Sequence, residues 1–270
     1  MRGLPLIVLL FLWAPVSGRA AGEQVSHSVP APVYGYRVVQ SFAHDPAAFT
    51  QGLVIADGVL YEGTGLNGRS TLRRVDLATG EVLQSRPLPD EYFGEGVAVF
   101  GNRIIQLTWR SGVGLIYDRN TFALLRTLPY PGEGWGLTSD GARLIASDGS
   151  ATLRFLDPET FQEEHRLTVT DQGRPVPRLN ELEYVAGTIY ANVWQTERIA
   201  MIDAVSGRVT GWLDLSGLLT PEERSRPVDV LNGIAHDPRT GRLYVTGKLW
   251  PRIYVIEPVP RAANPRDISP

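Results

Sequence analysis

A chain of 270 residues with 43% hydrophobic and 20% charged side chains has the composition of a globular protein, long enough for one large domain or two small ones. Its formal net charge of −3, with no clustered Lys/Arg stripe, argues against nucleic acid or an anionic membrane as the main partner. Cysteine is absent from the sequence, which excludes disulfides, a thiol nucleophile, thiolate metal sites and a lipid-modified cysteine.

Met1-Arg2 precedes an apolar run from Leu4 to about Val16, and the small-residue stretch Ser17-Gly18-Arg19-Ala20-Ala21 follows. This order predicts a signal peptide over residues 1–21, with cleavage at Ala20 or Ala21. The apolar run is too short for a comfortable membrane span. Export to the periplasm or the medium is therefore expected, with no membrane attachment once the segment is removed.

From about Phe49 the chain repeats. Each unit opens with an apolar run: GLVIADG, GVAVFGN, WGLTSDG, ELEYVAG, NGIAHDPRTG. A tight turn leads to a second run: VLYEGTG, RIIQLTW, RLIASDG, TIYANVW, RLYVTGK. A third run ends in an acid, at Asp76, Asp118, Asp157, Asp203 and Glu257, and in four units a turn and a fourth run follow. Short strands rich in Val, Ile, Leu and Tyr between Gly/Asp/Asn turns mean all-β, and four strands per repeat of this length predict a five-bladed β-propeller. The missing fourth strand of the last unit is matched by a strand at the front, Tyr36–Phe42, which is expected to complete blade five and close the ring without leaving an edge. The propeller is expected over residues 34–258, with a loose, Pro-rich tail over 259–270. A closed ring needs no partner, so a monomer is expected.

Aligning the units on Leu60, Ile104, Leu144, Ile189 and Leu243 of the second runs defines two rings of equivalent positions. The first runs open at Gln51, Glu95, Trp135, Asn180 and Asn232; the second runs close at Gly65, Trp109, Gly149, Trp194 and Lys248. The opening of one strand and the close of the next share an end of an antiparallel hairpin, so both rings should face one end of the central channel. Together they hold one carboxylate, one ammonium, three amides and three indoles. A core would not place Glu, Lys, Gln and Asn in equivalent positions, and an ordinary surface would not concentrate tryptophan. Aromatic walls with a few convergent polar groups make a small-ligand pocket, and a carboxylate walled by indoles is suited to passing a proton. The bland alternatives are three tryptophans that plug the channel mouth and an Asn232 that caps a turn. Gly52, Gly96, Gly136 and Gly233 follow four of the opening residues, as packing positions that let the blades crowd the axis. Glu133 of PGEGWGL is a local rival to Glu95, two positions out of register, while Glu181 falls on a packing position and Glu183 is a further alternative. Neither a GxSxG nor an HExxH pattern occurs, and His44 and His236 each sit in an AHDP stretch that reads as turn hydrogen bonding.

In this order, HDPAAFTQGL, YEGTG, FGEG, LTW, EGWGL, LNELEY, NVW, LNGIA and TGK resemble the motifs of the plant- and bacterial-type glutaminyl cyclases, over nearly the whole chain from about Tyr36 to Glu257. That resemblance implies a five-bladed propeller that converts the N-terminal glutamine of peptides and proteins to pyroglutamate and releases ammonia. It implies Glu95 as the acid/base group. It also implies a pocket of Phe49, Gln51, Phe93, Trp109, Trp135, Asn180, Trp194 and Lys248, with no cofactor and no metal. Two other readings stay open on the residues alone. A lactonase-like hydrolase could hold Ca²⁺ on Glu95, Asn180 and Asn232, though Lys248 and the indoles weaken that. A non-catalytic propeller could use the same mouth to bind a peptide end.

Overall fold

The computed structural model describes residues 30–261, so the expected signal peptide and residues 262–270 lie outside the described part. A front strand, β1 (Val33–Ala43), precedes the repeats. The first sheet is β2 (Thr50–Ala56), β3 (Val59–Thr64), β4 (Thr71–Val75) and β5 (Val82–Pro87). The second is β6 (Gly94–Phe100), β7 (Arg103–Thr108), β8 (Val113–Asp118) and β9 (Leu124–Pro129). The third is β10 (Leu137–Ser139), β11 (Leu144–Ala146), β12 (Thr152–Leu156) and β13 (Glu163–Thr168), followed by a small hairpin of β14 (Thr170–Asp171) and β15 (Arg174–Pro175). Next come β16 (Leu179–Val185), β17 (Thr188–Val193), β18 (Arg198–Asp203) and β19 (Val209–Asp214). A single helical turn, α1 (Pro221–Arg224), leads to β20 (Leu231–Asp237), β21 (Arg242–Gly247) and β22 (Arg252–Pro260).

The chain is all-β, built of antiparallel four-strand sets. β1 runs antiparallel along β22 from Tyr34↔Pro260 to Ala43↔Arg252 and touches β19 in parallel at Val33↔Trp212 and Tyr34↔Leu213. β22 therefore continues two residues past Pro258, where the tail was expected to begin. Pro258 and Pro260 sit beyond the stretch paired with β21, which ends at Leu243↔Ile256, so their missing N–H groups break no bond to that strand.

Turn chemistry explains the repeat. In four sets the acid that ends the third strand accepts both the backbone N–H and the hydroxyl of a Thr or Ser three residues on: Asp76 from Thr79, Asp118 from Thr121, Asp157 from Thr160 and Asp203 from Ser206, at 2.7–3.0 Å. These side-chain bonds close the turn into the fourth strand. Glu257 has no such turn and pairs instead with Arg37 of β1.

Apolar faces are buried between neighbouring sheets. Leu72 and Tyr61 pack with Val97 and Ile104; Ile105 and Leu107 with Leu137 and Leu144; Leu153 and Phe155 with Leu182 and Ile189. Ile199 and Leu213 meet Ile234 and Val245, and Leu53 and Leu60 of the first sheet meet Ala235 and Val255 of the last. The first strands approach one another so closely that a Cβ added at Gly52 would lie 2.4 Å from Val97 N, and one at Gly96 would lie 2.4 Å from Leu137 N. At Gly136 it would lie 2.0 Å from Asn180 O. These glycines serve packing, as their register suggested.

Candidate active site

The first ring is aimed by breaks in strand pairing. The ladder between first and second strands slips between Thr50 and Gly52, between Gly94 and Val97, between Leu179 and Leu182, and between Leu231 and Ile234. Gln51, Glu95, Asn180 and Asn232 lie inside those slips. A bulge leaves its residue outside the ladder and re-aims the side chain, which is how a glutamate can stand at the mouth of an apolar strand.

The second ring is held by a recurring bond. The N–H of Gly65 donates to Phe49 O, of Trp109 to Phe93 O, of Trp194 to Arg178 O and of Lys248 to Val230 O, at 2.8–3.0 Å. Both rings thus lie at the same end. The two glycines of the second ring make room for neighbouring aromatics: an added Cβ at Gly65 would meet Phe93 Cε1 at 2.4 Å, and one at Gly149 would meet the Trp135 ring at 2.8 Å.

Phe49, Gln51, Phe93, Glu95, Trp109, Trp135, Asn180, Trp194 and Lys248 all line one cavity of about 340 Å³. Its walls are an arc of edge-to-face rings. Phe49 and Phe93 are 6.2 Å apart between centroids, Phe93 and Trp109 5.5 Å, and Trp135 and Trp194 5.6 Å. Lys248 Nζ stands 4.7 Å from the Phe49 ring centroid. Gln195, Asp229 and Val230 complete the lining and were not read from the sequence. For Val230 the signal was present: it precedes Asn232 by two positions, as Phe49 and Phe93 precede Gln51 and Glu95. Gln195 and Asp229 lie in connecting loops, where strand register carries no information.

Glu95 is 5% exposed, and Gln51 Nε2 donates to its Oε1 at 2.9 Å. Burial pushes its carboxyl well above the usual carboxylate range; the positive charge of Lys248 opposes this and the negative charge of Glu133 adds to it. Burial pulls the Lys248 ammonium down, with Glu95 and Asp229 opposing. Asn232 Nδ2 donates to Gln51 Oε1 at 3.3 Å, which turns the Gln51 amide nitrogen toward Glu95. Asn180 Oδ1 is buried with no partner among the described residues. The cavity thus presents a carboxyl group raised by burial, a lysine amine and an open acceptor inside an apolar wall.

The other expected residues fall elsewhere. Asn232 is buried beneath the cavity, donating to Thr50 O at 3.0 Å and to Gln51. Glu133 does not line the cavity; it accepts from the indoles of Trp109 and Trp135. Glu181 stands where four units have glycine, and its carboxylate spans the axis to Leu53 N at 3.1 Å and Ile234 N at 2.7 Å. Glu183 accepts from His236 N and Thr138 Oγ1 toward the far end of β16, and burial raises it to about 8. Neither serves the cavity. His44 departs from the turn reading: it is buried, its Nε2 2.9 Å from Glu62 Oε1 and its Nδ1 2.7 Å from Trp250 O.

Residues 8–257 match the glutamine cyclotransferase family. The chain is 44% identical over 226 residues to a glutaminyl-peptide cyclotransferase of Arabidopsis thaliana, covering 82% of this chain and 70% of that protein. A crystal structure of glutaminyl cyclase from Myxococcus xanthus superposes with a TM-score of 0.80 at 35% identity, over 86% of this chain and all of that one.

Proposed function

The chain belongs to the glutamine cyclotransferase family and is a transferase of the glutaminyl-peptide cyclotransferase kind, and we propose that it cyclises N-terminal glutamine by metal-independent acid–base catalysis in the aromatic cavity. The substrate's α-amine attacks the carbonyl carbon of its own γ-carboxamide. One C–N bond forms, the bond to the amide nitrogen breaks, and one proton passes from the attacking to the leaving nitrogen. The products are a pyroglutamyl chain and ammonia. An α-amine with a pKa of about 7.7–8.0 is substantially neutral near that pH, so the nucleophile needs little activation. What the site supplies is the curled conformer, held between indoles, and a carrier for the proton.

Glu95 takes the proton from the amine and returns it to the leaving nitrogen. Gln51 is engaged at both ends, by Glu95 and by Asn232, so its role is to orient the carboxylate. Lys248 and Asn180 are left to meet the substrate, the ammonium at the developing oxyanion and the amide oxygen at an N–H group. The observation that carries this reading is the convergence of a single buried carboxylate, raised by desolvation, with three indoles in one cavity of substrate size.

The same reading includes a five-bladed propeller over residues 34–258, closed by β1 beside β22. Its support is the apolar contact of the first sheet with the last and the run of pairing from Tyr34 to Ala43. It includes export after removal of residues 1–21 and action as a monomer.

The test is ammonia release from a Gln-initiated dipeptide with chelator present, alongside the Glu95→Gln protein. Release that survives chelation and collapses in the variant supports the reading. Release abolished by chelator and restored by calcium points to a metal-dependent hydrolase, and tight binding without ammonia to a peptide-binding module.

A further inference from the structure

The arc of aromatic walls is interrupted at one place. Phe49, Phe93 and Trp109 form one run of touching rings, and Trp135 and Trp194 form another. The link between them is a carboxylate: Glu133 Oε2 accepts from Trp109 Nε1 at 2.9 Å and from Trp135 Nε1 at 3.0 Å. The second oxygen, Oε1, accepts from Arg110 Nε at 2.9 Å. The Arg110 guanidinium in turn lies 3.9 Å from the Trp109 ring centroid, so Trp109 is held by its edge and on its face by the same ion pair. No other pair of pocket side chains shares an acceptor in this way among the described residues.

We propose that Glu133 is a positioning residue for the cyclisation, a clamp that fixes Trp109 and Trp135 as one wall and shapes the cavity for the curled glutamine; the proposal rests on the cyclase reading given above. An indole is a donor only. Trp109 follows β7 and Trp135 precedes β10, and the backbone brings them together, Gly134 N donating to Trp109 O at 2.9 Å; each side chain still has its own rotamers, so the backbone alone leaves the mutual angle of the two rings open. A bond to an ionised acceptor is shorter and roughly twice as strong as a neutral one, and one oxygen serving two donors ties their positions together. Near-attack geometry is steep in distance, so a wall that drifts by about 1 Å costs about 10²-fold in rate. Glu133 suits the task because its three bonds and the Arg110 charge hold its carboxyl below the usual range, so it stays ionised. Its charge has a second consequence: it is one of the groups that push Glu95 upward.

The test uses Glu133→Ala and Glu133→Gln in the full chain. Glutamine keeps one oxygen acceptor for the indoles and loses the charge; alanine loses both. We expect kcat/KM for a Gln-initiated dipeptide to fall about 10- to 100-fold in Glu133→Ala, with KM raised, and to be partly rescued in Glu133→Gln. In both, the acid limb of the kcat/KM profile should move to lower pH, because a negative charge that raised Glu95 is gone. Independently of turnover, the ¹⁵N-labelled indole N–H resonances of two tryptophans should move upfield in Glu133→Ala and move less in Glu133→Gln. Unmoved indole resonances overturn the clamp even if activity falls. Moved resonances with unchanged KM, kcat and acid limb overturn its link to cyclisation. Absence of ammonia from the wild-type protein is a failure of the cyclase reading, and the indole resonances still decide the clamp.

Discussion

Gln51 and Glu95 occupy the same register position in adjacent sheets, each inside a break in its strand ladder, and Gln51 Nε2 donates to Glu95 Oε1 at 2.9 Å. Two side chains that ordinary strand geometry would send into separate ladders are thereby joined at the floor of the cavity. The pairing uses one carboxylate oxygen of Glu95, a residue that itself lines the cavity.

Glu95→Gln is expected to lower kcat by about 10²–10⁴-fold, the usual worth of a positioned acid–base group. The fold should persist, because glutamine keeps the shape, can still accept from Gln51 Nε2 and removes a group whose charged form burial disfavours. Ammonia release and thermal unfolding measure the two effects; turnover within twofold of wild type would remove Glu95 from the mechanism.

The pH profile carries a sign. A general base works only when ionised, and Glu95 is held well above the ordinary carboxylate range. The acid limb of kcat/KM is therefore expected above that range. Lys248 acts against this shift, so Lys248→Met should let the Glu95 pKa rise further and move the acid limb to higher pH. A limb that stays in place in that variant would show that the two groups do not interact.

Gly65→Ala tests the packing of the wall. Its Cβ would fall 2.4 Å from Phe93 Cε1, and Phe93 packs on both Phe49 and Trp109. A cost of about 1–3 kcal/mol is expected from overpacking, together with a higher KM. Gly35→Ala, whose Cβ would meet only Val259 at 3.8 Å, is the matched control and should be near neutral. Chemical denaturation and steady-state kinetics of the two variants decide it.

The His44–Glu62 pair predicts a pH-dependent stability. Both side chains are 2% exposed, Thr50 Oγ1 also donates to Glu62, and breaking such a buried pair costs about 3–5 kcal/mol. Burial pulls His44 down, but Glu62 and Trp250 O together outweigh it and hold His44 above its ordinary 6.5, so its contribution is full below that pH and is lost as pH rises through the folded value. Burial pushes Glu62 up, but His44, with Arg73 and Thr50, outweighs it and holds Glu62 below its ordinary 4.5, so that contribution is present above 4.5 and is lost as pH falls through the folded value. The stability gap between wild type and His44→Ala in urea should therefore be widest between about 4.5 and 6.5 and narrow toward alkaline pH. A gap that does not vary with pH would mean the pair is held neutral.

Much of the architecture was legible because it repeats. The alternation of short apolar runs, and the acid with its Thr or Ser three residues on, are local features that each set writes out again. The same periodicity identified equivalent positions, and nine residues drawn from register and family motifs line one cavity. What escaped was whatever joins one repeat to another: Glu62 beneath His44, the Asp229 loop beside Lys248, and Glu133 between two indoles.

The sequence by itself determined the all-β class, the four-strand repeat and the residue types at the two rings, because side-chain alternation and turn bonding act over a few residues. Only the tertiary structure decided which way those residues point and what they touch. The ladder slips that turn Gln51, Glu95 and Asn180 into the cavity arise from pairing between strands. So does the extension of β22 to Pro260, which needs β1 from the other end of the chain. The raised pKa of Glu95 has the same origin, since desolvation is a property of the assembled cavity and is absent from any single strand.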